Sequence, residues 1–221
     1  MKLRHALDSF YVFLDRPLYF VSRIPLALLV IPLVMSFFSP LWRISMEAPQ
    51  YPEGLSLDIY AYTLEGGREG RDLQEINTLN HYIGMKRLER SDFADLDWIP
   101  FALGFLAILT LRVAAIGNIR ALVDLAVLIT YVLGFMGARF IYKLYIFGHE
   151  LDPRAPVDVE PFTPVIIGTK QIANFTTHSM PQTGSYWLFS FTLGVILITI
   201  IHLWVGRRRA AKMEAEGALP A

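Results

Sequence analysis

The stretch "YWLFSFTLGVILITIIHLWV", Tyr186–Val205, runs for twenty residues without an Asp, Glu, Lys or Arg. About 20 apolar residues in helical conformation cross the roughly 30 Å of bilayer hydrocarbon, so this stretch reads as a membrane span. Working outward, three more segments read the same way: Ile24–Trp42, Trp98–Ile116 and Ala121–Ile141. The second stays apolar to Leu111 and reaches Ile116 if Arg112 snorkels its guanidinium to the headgroups. All four are apolar around their whole circumference, whereas helices of a soluble bundle carry polar stripes. Composition agrees: 54% hydrophobic residues, 18% charged and a mean hydropathy of +0.42. A soluble domain carries about a quarter charged residues.

The first segment is expected to be a retained anchor rather than a cleaved signal peptide. It begins only after 23 residues and is followed by bulky "SPLWRISM", not by a small-residue cleavage site. Pro25, Pro32 and Pro40 should kink it. Lys2, Arg4, Arg16 and Arg23 precede it, Arg112 and Arg120 flank the short turn between the second and third spans, and "GRRRAAK" follows the fourth. The positive-inside rule puts all three on the cytoplasmic side. Trp42, Trp98, Tyr186, Trp187 and Trp204 then fall at membrane interfaces.

The expected architecture is mainly α: a polytopic membrane protein with four transmembrane helices and two extracytoplasmic loops. It divides into a cytoplasmic segment 1–23, spans 24–42, 98–116, 121–141 and 186–205, an outer loop domain 43–97, a cytoplasmic turn 117–120, an outer proline-rich loop 142–185 and a cytoplasmic tail 206–221. In a Gram-negative bacterium this is an inner-membrane protein whose outer loops face the periplasm.

The loops read as folded. "GLSLDIYAY", Gly54–Tyr62, alternates Leu55, Leu57, Ile59 and Ala61 against Ser56, Asp58, Tyr60 and Tyr62, the pattern of a half-buried strand. "EGGREGR" reads as a turn. In "DLQEINTLNHYIG", Leu73, Ile76, Asn80 and Ile83 recur at helical spacing. Asp72 is expected as N-cap with Glu75 as its reciprocal partner, and Gly84 as the C′ residue. Prolines 153, 156, 161 and 164 make the second loop stiff and extended.

"NTLNHYIGM", Asn77–Met85, packs amides, an imidazole, a phenol and a thioether into nine residues, and "HSMP" adds His178 and Met180. Imidazole and thioether are the donors that suit Cu(I) where thiolates are absent, so His81, Met85, His178 and Met180 form a candidate ligand set. The competing reading is packing or partner docking, with Asn77, Asn80 and Tyr82 as the docking residues and Asn77 and His81 on one helix face. "NFT" at Asn174 matches a glycosylation acceptor. In the third span Asp124 is expected to form an intramembrane ion pair with Arg120 or Arg112, the alternative being a proton relay. Arg139 and Lys143 could snorkel outward, or bind an anionic lipid or a partner's carboxylate.

With no cysteine, the chain can hold neither a Cys-ligated iron–sulfur cluster nor a c-type haem attached through C-x-x-C-H. The paired histidines of a b-type haem are lacking too, since only His202 lies within a span. There is no glycine-rich phosphate loop, no Ser–His–Asp arrangement and no H-E-x-x-H motif, so an enzyme is not expected, nor is a nucleic-acid partner.

The combination "YPEGLSLDIYAY", "DLQEINTLNHYIGMK", "DLDWIPF", "PFTPVIIGTKQIANFTT" and "TGSYW" on a four-span frame resembles the small tetraspan membrane proteins encoded beside nitrous oxide reductase, the NosB-like proteins. The resemblance spans about Pro49 to Trp187 and implies a cytoplasmic-membrane accessory protein for a periplasmic copper enzyme, without assigning ligand or catalytic residues. The expected function is therefore non-enzymatic: outer loops held by four helices and presented to other membrane or periplasmic proteins, with Cu(I) as the ion they would handle. The alternative is a structural or assembly subunit of a larger bioenergetic membrane complex.

Overall fold

The computed structural model describes residues 10–172 and 175–215. Lys2, Arg4 and the acceptor Asn174 lie outside them. Its elements in chain order are helices α1 (Phe20–Leu28) and α2 (Val30–Phe38), strands β1 (Trp42–Ala48), β2 (Tyr51–Ile59) and β3 (Leu64–Gly66), and helix α3 (Arg71–Tyr82). There follow α4 (Asp95–Ile116), α5 (Ile119–His149), β4 (Gly168–Ile172), β5 (Phe175–Pro181) and α6 (Thr183–Ala215). Four stretches are long and apolar enough to cross a membrane: Phe20–Phe38, Asp95–Ile116, Ile119–His149 and Thr183–Gly206. The described residues divide into two compact units: 10–33, 104–132 and 189–215 form one, and 34–103, 133–172 and 175–188 the other.

In the first unit, side chains at helical spacing close the core: Leu26, Leu33, Leu106, Leu122, Ile129, Phe191 and Val195 are all essentially inaccessible. The apolar run from Phe20 is two helices because Pro32 has no N–H to give the Leu28 carbonyl, so the helix breaks at Leu29. Gly194 lets α6 approach that break, since a Cβ there would lie 2.5 Å from Leu29. The segment before α1 pairs with the α4–α5 turn through Pro17 and Asn118, and Ile119 N donates to Arg16 O at 3.0 Å. Asn118 caps α5 by accepting from Ala121 N at 2.9 Å.

This turn corrects the expected Arg120–Asp124 pair. Arg120 donates to Asp15, 3.1 Å away on the segment bonded to the turn, while Asp124 is exposed. A cation four residues before an anion is the weaker order on a helix, so a tethered Asp15 prevails.

The second unit is built on one antiparallel sheet of five strands, in the order β3-β2-β1-β5-β4. Each of the two interhelical segments supplies strands to it. β1 pairs with β2 (Ile44 opposite Leu57) and with β5 (Ile44 opposite Ser179). The expected strand is present as β2, with Leu55 and Leu57 buried, but it is one of five. β1 starts at Trp42, which therefore opens a strand instead of ending a span. α5 continues eight residues past Ile141 to His149, and its 31 residues rise about 46 Å, well beyond the hydrocarbon.

Inward-pointing Met46, Ala48, Leu55, Leu57, Leu64 and Phe175 meet Ile76 of α3 and Ile83 just past its end in a single core, with Leu73, Met85 and Phe93 packed at its margin. Trp42 extends this face toward α5, with its ring 5.0 Å from that of Phe140 and its Nε1 donating to Ser179 Oγ at 2.8 Å. The sheet thus has a covered face and an open one.

Candidate functional site: the open face of the sheet

Because side chains alternate along a strand and registered partners share a face, register assigns the open face directly. Arg43, Ser45 and Glu47 of β1 fall opposite Met180, His178 and Thr176 of β5, and Thr169 and Gln171 of β4 fall opposite His178 and Thr176. The result is a polar sheet surface. Arg43 and Asp58, also registered partners, make a two-pronged ion pair with both contacts at 2.6 Å. His178 stands between strands: its Nδ1 lies 2.7 Å from Thr169 Oγ1 and its Nε2 lies 3.8 Å from Glu47 Oε1.

The sheet separates the two His–Met pairs expected to share a metal. His81 lies in the last turn of α3 and Met85 just beyond it, where Met85 packs on the core of the covered face. His178 and Met180 alternate with the buried Phe175, Thr177 and Ser179 and so project from the opposite face. The pleat, not loop flexibility, holds the pairs apart. The neighbour that His178 does acquire is Glu47, 131 positions away in sequence; a strand reading of "WRISMEA" would have put Glu47 on the polar face without revealing the β1–β5 register.

The docking residues divide in the same way. Asn77 and Asn80 are buried, whereas Tyr82 is 52% exposed. Asn77 Oδ1 accepts from Leu88 N at 2.6 Å and its Nδ2 donates to Leu88 O at 3.3 Å, clamping the chain that leaves α3. It therefore serves the interior and does not share the exposed side of His81. Asn80 sits in the core with its Oδ1 unbonded, and its carbonyl accepts from Met85 N at 2.8 Å. With Gly84 N donating to His81 O and φ +76° at Gly84, this is the helix stop expected there.

His81 and Met85 do line one cleft of about 550 Å³ with Lys86, Arg87, Glu150 and Arg154. Lys86 is bonded to Glu150, and the C-termini of α3 and α5 both end here, so the cations offset two helix dipoles. Asp152 also lines the cleft, so two carboxylates stand among its three cations.

Asp72 does not cap α3. Gly70, at φ +89°, occupies the cap position without a side-chain bond, and Glu75 accepts instead from the Tyr51 hydroxyl. Asp72 is 3% exposed and accepts from Arg68 Nε at 2.5 Å and Ser56 N at 2.9 Å. This holds a turn in which Arg68, Glu69 and Gly70 all have positive φ. Burial pushes the Asp72 carboxyl upward, but the bonds from Arg68 and Ser56 outweigh it and leave the group below its ordinary 3.8. A depressed folded-state pKa stabilises above the ordinary value and is lost as pH falls through the folded one. Thermal unfolding in detergent should therefore be insensitive to this group above about pH 5 and weaken below about pH 4. In Asp72→Asn that acid-dependent loss should shrink; an unchanged acid limb would remove Asp72 from the account.

Among the described residues no group of three or more His, Asp or Glu side chains is placed to hold a metal. Arg139 and Lys143, expected to snorkel or to meet a lipid or a partner's carboxylate, instead find groups of this chain: Arg139 meets Asp95 (Nε–Oδ1 2.9 Å) and Lys143 donates to Asp92 O at 2.7 Å. By the length and composition of its helices this is a multi-pass membrane protein, here carrying a sheet-and-helix module between its spans. No family model, no curated protein and no solved structure matches the chain.

Proposed function

We propose that the chain is a non-enzymatic, membrane-anchored docking protein whose sheet presents its open face to another protein. The supporting observation is the one-sidedness of the sheet: α3 and Phe140 cover one face, while Arg43, Glu47, Thr169, Gln171 and Met180 stay exposed on the other. That face is polar, with the Met180 thioether half exposed among hydrogen-bonding groups. In the accessory-protein reading implied by the NosB resemblance, the face is extracytoplasmic and the partner is a periplasmic copper enzyme such as nitrous oxide reductase.

A photo-cross-linking side chain at Gln171 or Met180, both exposed on the open face, should capture a discrete adduct in native membranes. The same probe at Thr78, exposed on α3, should capture little. Equal yield from both positions, or none from the sheet, would refute the docking reading. Mass spectrometry of the adduct separates a periplasmic enzyme from a constitutive membrane subunit, the alternative reading.

A further inference from the structure

In the first unit, four span termini come together: Phe20, where the first span begins, Ile116, Ile119 and Gly206. Arg23 Nη1 donates to Ala115 O at 2.7 Å, and Ile119 N donates to Arg16 O at 3.0 Å. Gly206 lies so close to Phe13 that a Cβ on it would stand 2.7 Å from the ring. Arg16, Arg23, Arg112, Arg120 and Arg208 each fall within four residues of one of these termini, at the depth of lipid headgroups. The only carboxylates in residues 10–33, 104–132 and 189–206 are Asp15 and Asp124. Positive charge is therefore in excess here.

The contacts of these arginines leave most of that charge uncompensated. Arg120 pairs with Asp15 at 3.1 Å, and both side chains are about half exposed. Arg23 donates to Ala115 O and, at 3.4 Å, to Leu18 O; carbonyls fix its position without cancelling its charge. Arg208 lies over the Trp204 ring at 3.9 Å, which likewise leaves it a cation. Arg16 and Arg112 meet no carboxylate among the described residues, and Asp124 is exposed in the second turn of α5. In the other unit the pattern is different: Arg43, Arg90 and Arg139 each meet an aspartate.

Guanidinium groups fork onto phosphate oxygens, and four or more basic side chains beside a span recognise anionic lipids. We infer that these span termini form a binding site for the headgroup of an anionic phospholipid, with Arg16 and Arg112 as its uncompensated cations and Arg23 fixed between them and the α4–α5 turn. The ligand class is a phosphodiester without a balancing ammonium, such as phosphatidylglycerol. Phosphatidylcholine offers the same phosphate with a cation attached.

The test uses the full-length protein in a mild detergent with an equimolar mixture of phosphatidylglycerol and phosphatidylcholine of identical acyl chains. Native mass spectrometry counts the lipid retained. Phosphatidylglycerol should be retained about tenfold over phosphatidylcholine, and Arg16→Gln/Arg112→Gln should cut that preference about fivefold. Arg16→Lys/Arg112→Lys keeps the charge and should keep most of the preference. Arg154→Gln, which removes an exposed cation of the other unit, should leave it unchanged. If the double variant does not fold, Arg112→Gln alone, at an exposed position, should still lower the preference about twofold. No preference in the wild type, one that survives loss of both arginines, or one lost equally in Arg154→Gln overturns the inference. Displacement of the lipid by millimolar inorganic phosphate overturns it too, since that would mark a site for soluble anions.

Discussion

Gly148→Ala should destabilise the protein by roughly 3–5 kcal/mol, whereas Gly134→Ala on the same helix should cost nothing measurable. Gly148 lies in the last turn of α5, where Phe162 N donates to its carbonyl at 2.9 Å. A methyl group at Gly148 would sit 1.9 Å from Phe162 O and 2.8 Å from Pro164 Cδ. The obstructing atom is backbone, so no rotamer relieves it. The segment would have to retreat, giving up that hydrogen bond, the seat of Phe162 on the core and the Lys170 Nζ bond to Thr163 O. Gly134 has no atom within 4 Å of the position a Cβ would take, and alanine is the better helix former by about 1 kcal/mol. Thermal unfolding in one detergent, comparing the two variants with wild type, gives the contrast. Equal midpoints would mean that the proline-rich segment does not pack on α5 as described.

Removing Arg139 has the second largest expected effect. Its guanidinium grips Asp95 with two bonds, 2.9 Å from Nε and 3.1 Å from Nη2, joining the start of α4 to α5. Asp95 also accepts from Trp98 Nε1 at 3.1 Å, and the Trp98 ring lies 5.4 Å from that of Phe135. The side chains are 13% (Asp95) and 33% (Arg139) exposed, so the pair ranks between a surface ion pair, worth up to about 1 kcal/mol, and a buried one whose breakage costs about 3–5. Arg139→Ala should therefore cost about 2–4 kcal/mol, chiefly by stranding the Asp95 carboxylate. Arg139→Lys should recover less than half, because an ammonium cannot match both carboxylate oxygens in a plane. A double-mutant cycle with Asp95→Ala, read from tryptophan emission during unfolding, should show a coupling near 2 kcal/mol. Additive losses would demote the pair to a surface contact.

The four spans were legible because length and uniform apolarity are enough to announce them. So was β2, whose Leu55 and Leu57 alternate with Ser56 and Asp58, and so was the stop at Gly84. β1 was legible in principle: Trp42, Ile44, Met46 and Ala48 alternate strictly with Arg43, Ser45 and Glu47. Its apolar start abuts the first span, and continuity of hydrophobicity hid the change of period. β5 was not legible, because the residues it buries include Thr177 and Ser179 and its inward side does not look apolar. Asn77 and Asn80 deceived for a related reason. Amides read as surface groups until backbone partners such as Leu88 are known to lie within reach. The His178–Glu47 proximity depends on β1–β5 register, which no local pattern encodes.

Strand order also sets a timetable for biosynthesis. β1 is the central strand, flanked by β2 and β5. β2 leaves the ribosome almost at once, but β5 begins at Phe175, 127 residues after β1 ends at Ala48. At about 5–20 residues per second the free edge of β1 waits roughly 6–25 s, with two further spans to insert meanwhile. During that interval a nascent β1–β2–β3 meander exposes hydrogen-bonding groups able to recruit any passing strand. Completion of the sheet is therefore coupled to synthesis through residue 181, and a ribosome stalled before residue 175 leaves an aggregation-prone product anchored in the membrane.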